Sequence, residues 1–149
     1  VNTDAAAITV SGAATAQNIT PNQPSGTVIV VQNSDNYTGT FVESIAGRGT
    51  MTITQPLSRP GIYTVYVTWS ASAFEYAEWN FSGVFNDSGV LTYSDAVMTI
   101  TNASTNTTTT QFTNGFGTLT FGSRDGKTGV YWTENRSDAS ASNTFFAKQ

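Results

Sequence analysis

Along most of the chain, apolar and polar positions alternate with a period of two. That is the signature of a β-strand with one buried and one wet face. Residues 62–69 show it best: Tyr63, Val65, Val67 and Trp69 share one face, and Ile62, Thr64, Tyr66 and Thr68 the other. Met51 and Ile53 alternate with Thr50, Thr52 and Thr54 in the same way. Residues 77–85 set Trp79, Phe81 and Phe85 on one side. No segment reads as a convincing helix.

Turn chemistry punctuates these runs. Asn86-Asp87-Ser88-Gly89 and Arg124-Asp125-Gly126-Lys127 are hairpin signals, because Asn, Asp and Gly tolerate positive φ. Further turns are expected at 33–36, 47–49, 56–61 and 103–106. Strands are expected over 27–32, 39–45, 49–55, 62–69, 77–85, 90–102, 107–112, 118–123, 128–134 and 143–148, with a short one at 6–10. Residues 70–78 break the alternation and read as an irregular connection or a single helical turn. Asn114–Gly117 reads as a bulge or kink, and 135–142 as a polar loop.

Short connections make sequence neighbours into sheet neighbours. The expected fold is therefore all-β, an antiparallel meander closing into a barrel of about eight to ten strands, since closure removes exposed edges. A two-sheet sandwich is the runner-up. One domain over 1–149 is expected. Residues 1–35 stand apart, being small and polar, with breaks at Pro21 and Pro24. They are expected to be peripheral or intermolecular.

Composition narrows the chemistry. The 149 residues include no His and no Cys, and only six basic and ten acidic side chains. No imidazole can shuttle protons, and no thiolate can attack or hold zinc. No cofactor and no metal site is expected. Asp87-Ser88-Gly89 and Asp125-Gly126 are turn sequences first, and no run matches an EF-hand loop. The six cations are scattered, which argues against nucleic acid and a polybasic membrane contact. The longest apolar run, Val28–Val31, is far too short to insert in a bilayer as a helix.

The charged fraction of 11% is about half the usual quarter. A neutral surface rich in Thr, Ser and Asn fits an extracellular or cell-surface protein. The start at Val1, with no charged-then-apolar leader, fits a processed or trimmed form. Seven N-x-S/T sequons begin at Asn18, Asn36, Asn80, Asn86, Asn102, Asn106 and Asn135. On a secreted chain they would be N-glycosylation acceptors; the preferred reading is that a chain this rich in Asn, Ser and Thr produces them by chance.

Several fragments recur in a known order: GRGTMTI (47–53), YVTWSASAFEYAEWNFSGVF (66–85), GVLTYSDAVMT (89–99), FTNGFGTLTF (112–121), DGKTGVYWTE (125–134) and FFAK (145–148). The most specific is W-S-x-S-A-x-E-x-x-E-W, Trp69 to Trp79. From Gly39 onward the chain resembles a small β domain of secreted and lipid-anchored proteins of gut Firmicutes. That resemblance implies a surface location and carries no function. Similarity to lipocalin-like meander barrels is one of architecture alone.

Paired carboxylates are the one catalytic device the composition permits. Glu75 and Glu78 would need carboxyls about 5 Å apart for retention, or about 6.5–9.5 Å for inversion, in a glycosidase. Two solvated acids on a connection is the simpler account, and no enzyme activity is expected. Glu43, Asp95 and Glu134 have no motif around them. Trp69 and Trp79 share a face with other large apolar side chains and read as core. Tyr66, Tyr76, Tyr131 and Trp132 are the candidates for an exposed aromatic surface, suited to stacking on sugar faces. The expected function is thus a non-enzymatic binding or adhesion module, its partner a glycan or a surface protein. The alternative is a structural subunit that self-associates through residues 1–31 by donating a strand.

Overall fold

The computed structural model describes residues 14–16, 30–32, 37–136 and 141–149. The strand expected at 6–10 and the turn at 33–36 lie outside the described residues. Two short strands, β1 (Ala14–Ala16) and β2 (Val30–Gln32), pair antiparallel as a separate two-stranded sheet.

Eight strands build the barrel: β3 (Gly39–Glu43), β4 (Gly49–Thr54), β5 (Tyr63–Ser70), β6 (Glu75–Gly83), β7 (Val90–Asn102), β8 (Thr107–Arg124), β9 (Lys127–Glu134) and β10 (Ala141–Lys148). Each pairs antiparallel with the next, and β10 returns to pair with β3. The expected meander barrel is the observed fold.

The turns follow from their residues. Between β8 and β9 only Asp125 (φ 51°) and Gly126 (φ 75°) intervene, both left-handed, as a two-residue hairpin loop requires. Between β6 and β7, the Asn86 side chain accepts from the Ser88 and Val90 amides, both at 3.0 Å.

Three stretches differ from the sequence reading. Residues 70–78 are a hairpin, not an irregular connection. β5 runs on to Ser70, the turn spans 71–74, and the Glu75 carbonyl accepts from Ala71 and Ser72 at 2.9 and 3.0 Å. Residues 107–112 and 118–123 belong to one 18-residue strand, whose irregularities near Asn114–Gly117 are absorbed as register shifts against β7. β10 begins at Ala141 rather than Asn143, and left-handed Asn143 bulges between two paired segments.

The lumen is filled by aromatic layers. At the end where β3 and β5 begin, Tyr37 stacks on Phe85 at 4.2 Å, with Tyr63 and Phe121 edge-on. Deeper, Phe81 stacks on Tyr93 at 3.8 Å, and Trp79 meets Trp132 edge to face at 5.1 Å. Trp69 is only partly buried and packs against Phe146 at the edge of this core. A Cβ on Gly49 would come within 2.6 Å of the Trp69 ring.

One polar chain crosses the core. Trp132 Nε1 donates to the Tyr93 hydroxyl at 2.9 Å, and Tyr93 reaches Glu134 Oε2 at 3.1 Å. Glu134 Oε1 accepts from the Phe116 and Arg136 amides. Every oxygen of this buried carboxylate therefore has a partner, as burial of a polar group demands. The outer wall is the reverse of the lumen: Thr50, Thr52, Thr64, Thr68, Asn80 and Ser82 face out between inward Met51, Ile53, Val65, Val67 and Phe81.

Candidate functional site

An open groove of about 500 Å3 runs over the outer wall across β5, β6 and β7. The lateral register builds it. Tyr66 lies opposite Asn80, and Asn80 opposite Val97; Glu78 lies opposite Thr99. Period-two alternation turns all of these side chains outward together. Arg59, from the loop between β4 and β5, lines the same groove.

Two carboxylates anchor the floor. The Tyr66 hydroxyl donates to Glu78 Oε1, a diagonal neighbour across the β5–β6 pair. Glu78 Oε2 accepts from Thr99 and Thr101 at 3.5 and 3.4 Å. Asp95 accepts from the Ser82 hydroxyl at 3.0 Å and from the Ser82 amide at 3.4 Å. Partial burial pushes the Tyr66 phenol up to about 12, with the hydrogen bond and charge of Glu78 and the nearby Tyr76 adding to it. A phenol held neutral in this way remains a hydrogen-bonding group throughout the neutral range. The residue is 39% exposed.

The four aromatic candidates do not converge. Tyr66 and Tyr76 share the outer wall of β5 and β6. Tyr131 also faces outward, but on β9, two strands beyond β7 around the barrel. There it packs on Phe145 at 4.8 Å and donates to the Ser123 carbonyl at 3.0 Å. Trp132 is a correction: it points into the lumen at 1% exposure. Strand alternation sends Val130, Trp132 and Glu134 inward and leaves Tyr131 outside. Trp79 is core as expected.

The Glu75 and Glu78 pair is likewise dispersed. Both sit on regular β6, so three residues of separation put them on opposite faces. Glu78 belongs to the groove, and Glu75 sits exposed at the strand's start. Sequence reading missed Glu78 as a partner of Tyr66 and gave Asp95 no role. Among the described residues, no three acidic side chains gather as a metal-binding group.

The groove therefore offers one half-exposed ring, two carboxylates whose hydrogen bonds orient them, and the exposed Asn80 amide. Carboxylates accept from hydroxyl groups, and an amide both donates and accepts. No family model, curated protein or solved structure matches the chain.

Proposed function

We propose that the protein is a non-enzymatic binding module of an extracellular or cell-surface protein, with carbohydrate as its ligand class. The observation that carries this reading is the Tyr66 ring beside Glu78, Asn80 and Asp95 in one open groove. A sugar presents an apolar ring face and a rim of hydroxyls. An aromatic ring takes the first, and carboxylate and amide oxygens take the second. The polar outer wall and apolar lumen suit a barrel in water, being the reverse of a lipid-facing strand pattern. The low charge and the resemblance to a secreted β domain support the surface location.

The fibre-subunit reading draws less support. Donor-strand exchange fills a gap between strands, and the barrel is closed from β3 round to β10.

Glycan-array binding of the full chain tests the proposal. Tyr66→Ala and Asp95→Ala are expected to abolish retention, while Tyr131→Ala on the far wall leaves it intact. Retention unchanged by Tyr66→Ala would remove the groove as the site.

A further inference from the structure

Asparagine followed by glycine is a reactive pair, because no side chain hinders the next backbone amide as it approaches the asparagine side chain. Asn114-Gly115 is the one such pair in the sequence. The barrel itself demands the glycine. A Cβ on Gly115 would lie 2.6 Å from the Phe112 ring, 2.8 Å from Ala96 and 3.0 Å from Glu134 Oε2.

The backbone and side chain of Asn114 are both set by their neighbours. Between the Ala96–Gly115 and Met98–Phe112 pairs, Thr113 and Asn114 together oppose Val97, which makes a β-bulge. Asn114 is exposed there, out of the regular ladder. The Arg136 guanidinium donates to Asn114 Oδ1 at 2.6 Å and lies 4.7 Å from the centroid of the Phe112 ring. Arginine only donates, so it selects the oxygen of the amide. Among the described residues, no hydrogen bond holds Nδ2. Glu134 ties the two sides together, since its Oε1 accepts from the Phe116 amide at 3.1 Å and the Arg136 amide at 3.0 Å. Asn135 adds a bond to the Phe116 carbonyl at 2.8 Å.

We propose that Asn114 is a self-modification site: it converts to aspartate through a cyclic imide formed with Gly115, and Arg136 both promotes the conversion and holds the product. The Gly115 backbone nitrogen loses its proton to solvent and attacks Asn114 Cγ. The new C–N bond closes a five-membered ring. Negative charge develops on Oδ1, where the guanidinium already stands. The Cγ–Nδ2 bond then breaks, and Nδ2 leaves as ammonia with a proton from water. Water next opens the ring. Opening at Cγ gives aspartate at position 114, and opening at the backbone carbonyl of the same residue gives the isoaspartyl chain. One water is consumed and one ammonia released, with no oxidant or reductant. The product sets a carboxylate where a neutral acceptor stood, so the contact with Arg136 becomes a charge-assisted one. It ties the chain beyond β9 to the bulge of β8 and lowers the formal net charge by one from −4.

Peptide mapping by mass spectrometry, on the full chain aged in mildly alkaline buffer, tests this. Amide-to-acid conversion is expected at Asn114 well ahead of the other asparagines, with aspartyl and isoaspartyl products resolved by chromatography. Arg136→Gln is expected to slow it about tenfold, less than a donor supplies in a water-excluded site. Arg136→Lys is expected to keep much of the rate, because an ammonium also donates. Asn114→Asp, the product made directly, is expected to unfold at a midpoint no lower than that of the unconverted chain. An Asn114 that stays an amide, or converts no faster than the other asparagines, overturns the proposal. So does an unchanged rate in Arg136→Gln, and so does a rate in Arg136→Lys as low as in Arg136→Gln, which would reduce Arg136 to packing on Phe112. A lower midpoint for Asn114→Asp overturns the claim that Arg136 holds the product. Should Arg136→Gln fail to fold, the mapping of the unsubstituted chain decides alone.

Discussion

Glu43 shows how a side chain with no motif around it becomes structural. It ends β3, 4% exposed, and accepts from the Ile45 and Ala46 amides at 2.6 and 2.8 Å. Burial works to raise its pKa, but the backbone N–H groups of Ile45, Ala46, Arg48 and Gly47 together outweigh it. The folded-state value therefore lies below the ordinary 4.5. Stability from this group is fully present above that ordinary value and is lost as pH falls through the depressed one. Glu43→Gln is expected to cost about 1.5–3 kcal/mol near neutral pH, the usual range for a hydrogen bond to a charged group. Urea unfolding at a series of pH values checks this: the gap from wild type should narrow below pH 4.5. A gap that stays constant into acid would mean that charge plays no part. Tyr66 offers the opposite sign. Its phenol ionises at about 12 rather than 10.0, through burial and through Glu78. Glu78→Gln is expected to bring that midpoint down toward the ordinary value in an ultraviolet titration. Equal midpoints in the two proteins would deny the contact between the two side chains.

At the scale of strands, the alternating runs were legible because each carries its own evidence. Tyr63, Val65 and Val67 are buried, and Thr64, Tyr66 and Thr68 face out, as their spacing requires. The turns at 86–89 and 125–126 were legible for the same reason, since positive φ selects its residues locally. What could not be read was lateral register. Ser82 and Asp95 meet only because of how β7 slides against β6, and no local pattern encodes that offset. The union of residues 107–124 into one strand was hidden by Asn114–Gly117, which looks like a break and acts as a set of shifts. Gly117 is the demanding position among these. A Cβ there would overlap the Thr133 carbonyl on β9 and lie 2.8 Å from the Tyr93 hydroxyl. Backbone cannot yield as a side-chain tip can, so Gly117→Ala must part β8 from β9 or displace Tyr93. The expected loss is about 1–3 kcal/mol, the common cost of overpacking, read from the chemical-denaturation midpoint. Gly126→Ala, by contrast, has open space around its Cβ, and its cost comes from a φ of 75° alone.

For the whole molecule, closure decides how the parts depend on one another. β10 is the last strand made, yet it pairs with both β9 and β3. Its Phe146 is fully buried against Trp69 and Trp132, so the C-terminal residues complete the core as well as the sheet. Until they dock, β3 and β9 both present bare edges, and the lumen is open along its length. No subset of strands from β3 to β9 is thus a finished sheet, and folding must wait for contacts between distant parts of the chain. Removal of residues 141–149 is therefore expected to abolish the cooperative unfolding transition rather than weaken it, and to leave a chain that aggregates through its exposed edges. Calorimetry and light scattering on the truncated chain check both halves of that statement. Addition of a peptide spanning 141–149 is expected to restore a cooperative transition, because the gap it fills is a strand wide and lined on both sides. A truncated chain that remains monomeric with a sharp transition would show that the seven strands from β3 to β9 close without it, and that β10 is a covering strand rather than a member of the barrel.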